Sequence, residues 1–176
     1  MRITVSGLPG SGTTSLSRYL SERHGFSMIS AGEVFRQLAR EHNMGLAEFG
    51  RLAEENPEFD TMIDARQKEI AAGRDNIIIE GRLSGWMVRD ADLRIWLFAP
   101  IGCRINRIVF RDQMADDKTA EQATIEREKC EAARYRNYYS IDISDLSIYQ
   151  IILNSEHWGV EGLGAIIDTA IMQLNH

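Results

Sequence analysis

Residues 7–14 read GLPGSGTT, directly behind the β-branched run Ile3-Thr4-Val5. No other stretch restricts the fold so tightly. Gly7, Gly10 and Gly12 let the backbone turn sharply, and the residues from Thr13 onward carry Leu16, Tyr19 and Leu20 on one helical face until Gly25 stops it. A strand, a glycine turn and a helix start together make an anion cradle, because backbone N–H groups and the positive end of the helix dipole aim at one place. The spacing follows the phosphate-loop pattern G-x-x-x-x-G-K-[ST] except at one position, where Thr13 stands in place of lysine. The cradle itself needs no lysine, and Thr14 keeps the hydroxyl that would hold Mg²⁺. Gly7, Leu8, Pro9, Gly10, Ser11, Gly12, Thr13, Thr14 and Ser15 are therefore the candidate ATP-phosphate residues. The competing reading is a strand-to-helix turn that binds nothing.

The remaining pattern alternates strands with helices, which predicts an α/β fold with a five-stranded parallel sheet in three layers. Arg2 to Ser6, Phe26 to Ile29, Asn76 to Glu80, Leu93 to Ala99 and Tyr149 to Leu153 read as the strands. Ile101 to Met114, residues 119 to 138 and Val160 to Leu174 read as helices, the first with Ile101, Ile105, Ile108 and Val109 inward. Residues 33 to 72 look helical in pieces, with Ser30 and Glu33 spaced as a capping box. One domain is expected: a core of 1–29, 73–112 and 146–176, a helical insert at about 30–72, and a short lid at about 113–140.

A net charge of −6 argues against a general nucleic-acid binder. No apolar run reaches the roughly 20 residues of a membrane span, and no signal-like pattern opens the chain, so a cytoplasmic location is expected. Cys103 and Cys130 lack metal-type spacing and read as free thiols.

Only Lys68, Lys118 and Lys129 are lysine, so arginine supplies 17 of the 20 basic residues. Its planar fork grips phosphate at two points. Arg104, Arg107 and Arg111 share one helical face, opposite the isoleucines, and Arg127 and Arg134 share another. Two such helices joined by Ala115-Asp116-Asp117-Lys118 suit a lid that clamps a triphosphate. Because Glu121, Glu126, Glu128 and Glu131 interleave with these arginines, a solvated helix pair is the other reading. On the opposite side, Ser30, Gly32 and Arg36 open a helix. Glu80, Gly81 and Arg82 follow the Ile77 to Ile79 strand at the end where open parallel sheets bind ligands. Glu80 would hold a metal-bound water, and Arg82 a second phosphate.

GLPGSGTT (7–14), ISAGEVFR (29–36), IIIEGRLSGW (77–86), RIVFR (107–111) and RYRNYYSIDISDLSIY (134–149) together resemble the nucleoside monophosphate kinases. They most resemble the archaeal-type cytidylate kinases, which share the adenylate kinase fold. Threonine in place of the loop lysine is a feature of that group. The resemblance implies a P-loop kinase fold and phosphoryl transfer from MgATP to CMP or dCMP, in a monomer without nucleic-acid or membrane partners. It implies ATP phosphates on Gly7 to Ser15, with Mg²⁺ near Thr14, beside the metal-bound water expected at Glu80. The monophosphate falls on Ser30, Gly32, Arg36, Gly81 and Arg82, and Arg107, Arg111, Arg127 and Arg134 form the catalytic clamp. It also places Asp142 to Asp145 near the cleft. The alternatives are another acceptor, such as AMP, UMP, shikimate or dephospho-coenzyme A, or a nucleotide-binding module without turnover.

Overall fold

The computed structural model describes residues 1–44, 49, 52, 56, 58–72, 74–112 and 116–174. Five strands form one parallel sheet: β1 (Arg2–Gly7), β2 (Ser27–Ser30), β3 (Ile77–Glu80), β4 (Leu93–Phe98) and β5 (Ile151–Asn154), in the spatial order β2-β3-β1-β4-β5. The helices whose bounds lie among the described residues are α1 (Thr13–His24), α2 (Ala31–Glu41), α3 (Glu58–Ala72), α4 (Ser84–Met87), α5 (Ile101–Asp112), α6 (Asp117–Tyr139) and α7 (Val160–Leu174). All five expected strands are present. The second and fifth are shifted by one or two residues, because their pairing begins at Ser27 and Ile151.

The period-2 alternation of β3 divides the core. Ile77 and Ile79 pack on one face with Ile29, Val34, Leu38, Phe59 and Val88, so α2 and α3 cover that side. Ile78 turns to the other face with Ile3, Val5, Leu16, Leu20, Leu163 and Ile167, under α1 and α7. A strand buried on both faces has to be apolar throughout, which is why three consecutive isoleucines stand here. β1 lies at the centre between β3 and β4. The carboxyl ends of β2, β3 and β1 thus lie side by side, with Ser30 and Val5 both in register with Glu80. Ligands of open parallel sheets bind at this edge.

Within the insert expected at about 30–72, residues 45–48, 50, 51, 53–55 and 57 lie outside the described residues, as does the segment 113–115 that precedes α6. Among the described residues no helix is long and apolar enough to cross a membrane. Cys103 and Cys130 are free thiols, as expected.

Candidate active site

The loop between β1 and α1 is held from outside by its carbonyls. Arg104 Nη1 donates to Pro9 O at 3.0 Å, Arg107 Nη1 to Gly10 O at 3.2 Å, and Ser155 Oγ to Ser11 O at 2.7 Å. In a trans peptide the C=O and the next N–H point in opposite directions. Anchoring Pro9 O and Ser11 O therefore turns the Gly10 and Gly12 N–H groups away from these anchors, while Ser11 N–H closes a turn onto Leu8 O. Gly10 sits at φ 80° and Gly12 at φ 91°, in the left-handed region that favours glycine. At Gly10 a β-carbon would also lie 2.6 Å from Arg104 O. Gly12 is the N-cap of α1, so no side chain caps that terminus, and Thr14 and Ser15 are exposed on its first turn. Such a terminus favours anions.

Thr13, at the position of the motif lysine, has a partner in the protein. Its hydroxyl donates to Glu80 Oε1 at 2.8 Å, and Ser30 Oγ donates to Glu80 Oε2 at 2.6 Å. One buried carboxylate at the end of β3 thereby ties the glycine loop to the start of α2. The expected Ser30–Glu33 capping box is corrected here: Ser30 is the N-cap residue, but its side chain makes no capping bond. A buried carboxylate needs donors more than a helix end does. Gly81 is buried and donates its N–H to Val5 O, which fixes the turn that carries Arg82. Gly32 lies exposed in the first turn of α2. Arg36 follows one turn later, but its side chain is outside the described residues.

The arginines of α5 do not share one solvated face. Arg104 is buried, 5% exposed, donating to Ala99 O at 3.1 Å and pairing with Glu128 of α6. Arg107 is partly buried and donates to Ser155 Oγ at 2.9 Å and Ser155 O at 2.6 Å, besides Gly10 O. Only Arg111 reaches outward, where the Asp112 carboxylate holds it and raises its already high pKa, while Asp112 is pushed below the usual carboxylate range by Arg111. The expectation of three arginines opposite the isoleucines fails because Arg104 lies one helical turn from both Ile101 and Ile108, and α6, packed on Ile105 and Ile108 through Ala120, also brings Glu128 to Arg104. On α6, Arg127 pairs with Glu131, which also pairs with Arg82. The Arg134 guanidinium lies 5.9 Å from the Tyr135 ring centre. Asp142 is engaged by Ser144 and Arg136, which lower its pKa.

Sequence reasoning gave no role to Ser155, or to Glu128 and Glu131 as partners of site arginines. The interleaving of acids and arginines on α6 was the available signal, and it read equally well as a solvated surface. Among the described residues no three His, Cys, Asp or Glu side chains cluster as a metal site. Magnesium commonly sits between nucleotide phosphates and one or two protein oxygens. Thr14 and Glu80, neighbours of the loop and of Thr13, fit that smaller demand.

A parallel sheet in this order, with a glycine loop behind its central strand and arginines against the loop, defines the P-loop kinase class of α/β protein. Solved structures agree on the fold. A shikimate kinase from Bacteroides thetaiotaomicron superposes with a TM-score of 0.66 over 98% of both chains at 14% identity. An uncharacterised protein from Eubacterium ventriosum reaches 0.72 over 97% of this chain and 98% of its own, at 16% identity.

The sequence is more specific. The family model described as "Cytidylate kinase-like family" matches residues 2–157, and the chain belongs to that family. A protein named cytidylate kinase from Methanoregula boonei is 75% identical over 99% of this chain and 96% of its own, and one from Methanosphaerula palustris is 61% identical over 97% of each.

Proposed function

We propose that the protein is a cytidylate kinase, transferring the γ-phosphoryl group of MgATP to CMP, and to dCMP, to give ADP and CDP or dCDP. The structural observation that carries this is Glu80, whose two oxygens take hydroxyls from the glycine loop and from the start of α2. Transfer between two phosphates needs two anion-receptive segments side by side, and this carboxylate joins two such segments. The choice of acceptor comes from the relatives, which are named cytidylate kinase and match along nearly their whole length.

In this reading Gly7 to Ser15 cradle the ATP phosphates. Ser30, Gly32, Arg36, Gly81 and Arg82 receive the monophosphate. Residues 30–72 form the acceptor-binding insert, and 113–140 the lid. Thr14 and Glu80 are the residues that would hold Mg²⁺, which when bound with ATP would neutralise phosphate charge. An acceptor phosphate oxygen attacks the γ-phosphorus in line, one P–O bond forming as the bond to the β-phosphate oxygen breaks. The attacking group is already an anion, so positioning and charge neutralisation suffice without a general base. Arg107, Arg111, Arg127 and Arg134 are the candidate clamp. Arg107 is the strongest substitute for the absent lysine, since its Nη1 reaches Gly10 O and lies 3.9 Å from where a Gly12 β-carbon would be.

The test is ADP release by the purified protein with CMP, dCMP, UMP and AMP in turn. CMP and dCMP should support turnover best. Faster release with AMP or UMP would overturn the acceptor assignment, and ATP binding without transfer to any monophosphate would leave a nucleotide-binding module.

A further inference from the structure

Two arginines from separate segments converge on one side chain of α6. Arg82 Nε lies 2.6 Å from Glu131 Oε2, and Arg127 Nε donates to Glu131 Oε1 at 2.9 Å. The Glu131 side chain is 9% exposed, Arg82 15% and Arg127 62%. Two guanidinium groups gripping a small anion from different elements is also how proteins hold a phosphate.

The carboxylate satisfies this pair incompletely, in geometry and in charge. Arg82 Nη1 is buried without a hydrogen-bond partner. A buried donor left unmatched costs about 1–3 kcal/mol. Both Glu131 oxygens already face a guanidinium, whereas a phosphate group offers at least one oxygen more. Two guanidiniums and one carboxylate sum to +1, whereas a phosphate dianion in the carboxylate's place would bring the sum to zero. The site thus suits a phosphate better than the group that holds it together.

We propose that Glu131 is the resident anion of a two-arginine phosphate site, a positioning residue that holds Arg82 and Arg127 together until the acceptor's phosphate displaces its carboxylate. This rests on the reading above that Arg82 belongs to the acceptor site. A displaced carboxylate cannot stay buried without a counter-charge, so its side chain leaves toward water. The backbone of α6 stays anchored three residues earlier by Glu128 on Arg104 and four residues later by Tyr135, packed with Leu83.

The experiment compares wild type with Glu131→Gln and Glu131→Asp by two readouts, the rise in Tm on adding inorganic phosphate and steady-state kinetics with CMP. Removing the competing carboxylate should enlarge the phosphate-induced Tm rise. It should lower KM for CMP roughly tenfold, the lower range for a charge-assisted pair, without raising kcat. Glu131→Asp keeps the charge but is too short to face both guanidiniums, so it should give a smaller change in the same direction and serves if the Gln variant fails to fold. An unchanged phosphate response with an unchanged or raised KM in the variants that fold would show that Glu131 merely fastens α6. If wild type shows no CMP-dependent ADP release, the proposed function fails, while the phosphate response of the variants still decides the role of Glu131.

Discussion

Replacing Arg104 with methionine removes the guanidinium while keeping most of the apolar stem. Three interactions disappear: the bonds to Ala99 O and Pro9 O, and the pair with Glu128. Taking one partner from a buried ion pair typically costs about 3–5 kcal/mol, because the other charge stays behind. The Glu128 side chain is 18% exposed and can rehydrate in part, which points to the lower end, about 3 kcal/mol. For a chain of this length about 3 kcal/mol corresponds to a fall in Tm of roughly 6–12 °C. Urea unfolding measures it directly, with an unchanged m-value showing that the two end states are the same. Since Pro9 O loses its anchor, KM for ATP should rise as well. A double-mutant cycle with Glu128→Leu isolates the pair, and the double variant should lose less than the sum of the singles. A loss below about 1 kcal/mol for Arg104→Met, or strict additivity in the cycle, would refute the idea that this buried arginine braces the loop.

Three further outcomes are expected. Gly10→Ala should destabilise by at least about 1–2 kcal/mol from its left-handed backbone alone and raise KM for ATP, read by urea unfolding and initial rates; an unperturbed protein would contradict the 2.6 Å approach to Arg104 O. Arg36→Ala should weaken CMP binding more than ATP binding by calorimetry, and equal losses would remove Arg36 from the acceptor site. Asp116 caps α6 by accepting Thr119 N–H and Oγ–H, which lower its pKa. A depressed carboxylate contributes stability that is present above its unfolded pKa and lost as pH falls through the folded value. The advantage of wild type over Asp116→Asn in urea midpoint should therefore shrink from about pH 4 downward, and a flat difference would contradict it.

How much was legible follows from where each signal resides. The glycine loop, the isoleucine strand and the α5 stripe are local patterns, and their elements stand where the periodicities put them. The α5 arginines show the limit. Spacing places Arg104, Arg107 and Arg111 on one face, but burial depends on what packs there, and α6 comes from later in the chain. Ser30 fails as a capping residue for the same reason: Glu80, 50 residues away, claims its hydroxyl. Glu131 could not be told from a surface glutamate until Arg82 and Arg127 stood on either side of it. Contacts made by chain-distant partners leave no period in the sequence.

The proposed transfer needs a guanidinium in place of the ammonium of the phosphate-loop lysine. Turnover of MgATP and CMP by Arg107→Ala, with Arg107→Lys beside it, tests this most directly. The alanine variant should lose roughly a thousandfold or more in kcat, as removal of a transition-state arginine does, with lysine restoring part of the loss. A loss under about tenfold in a stably folded Arg107→Ala protein would mean that the charge comes from elsewhere.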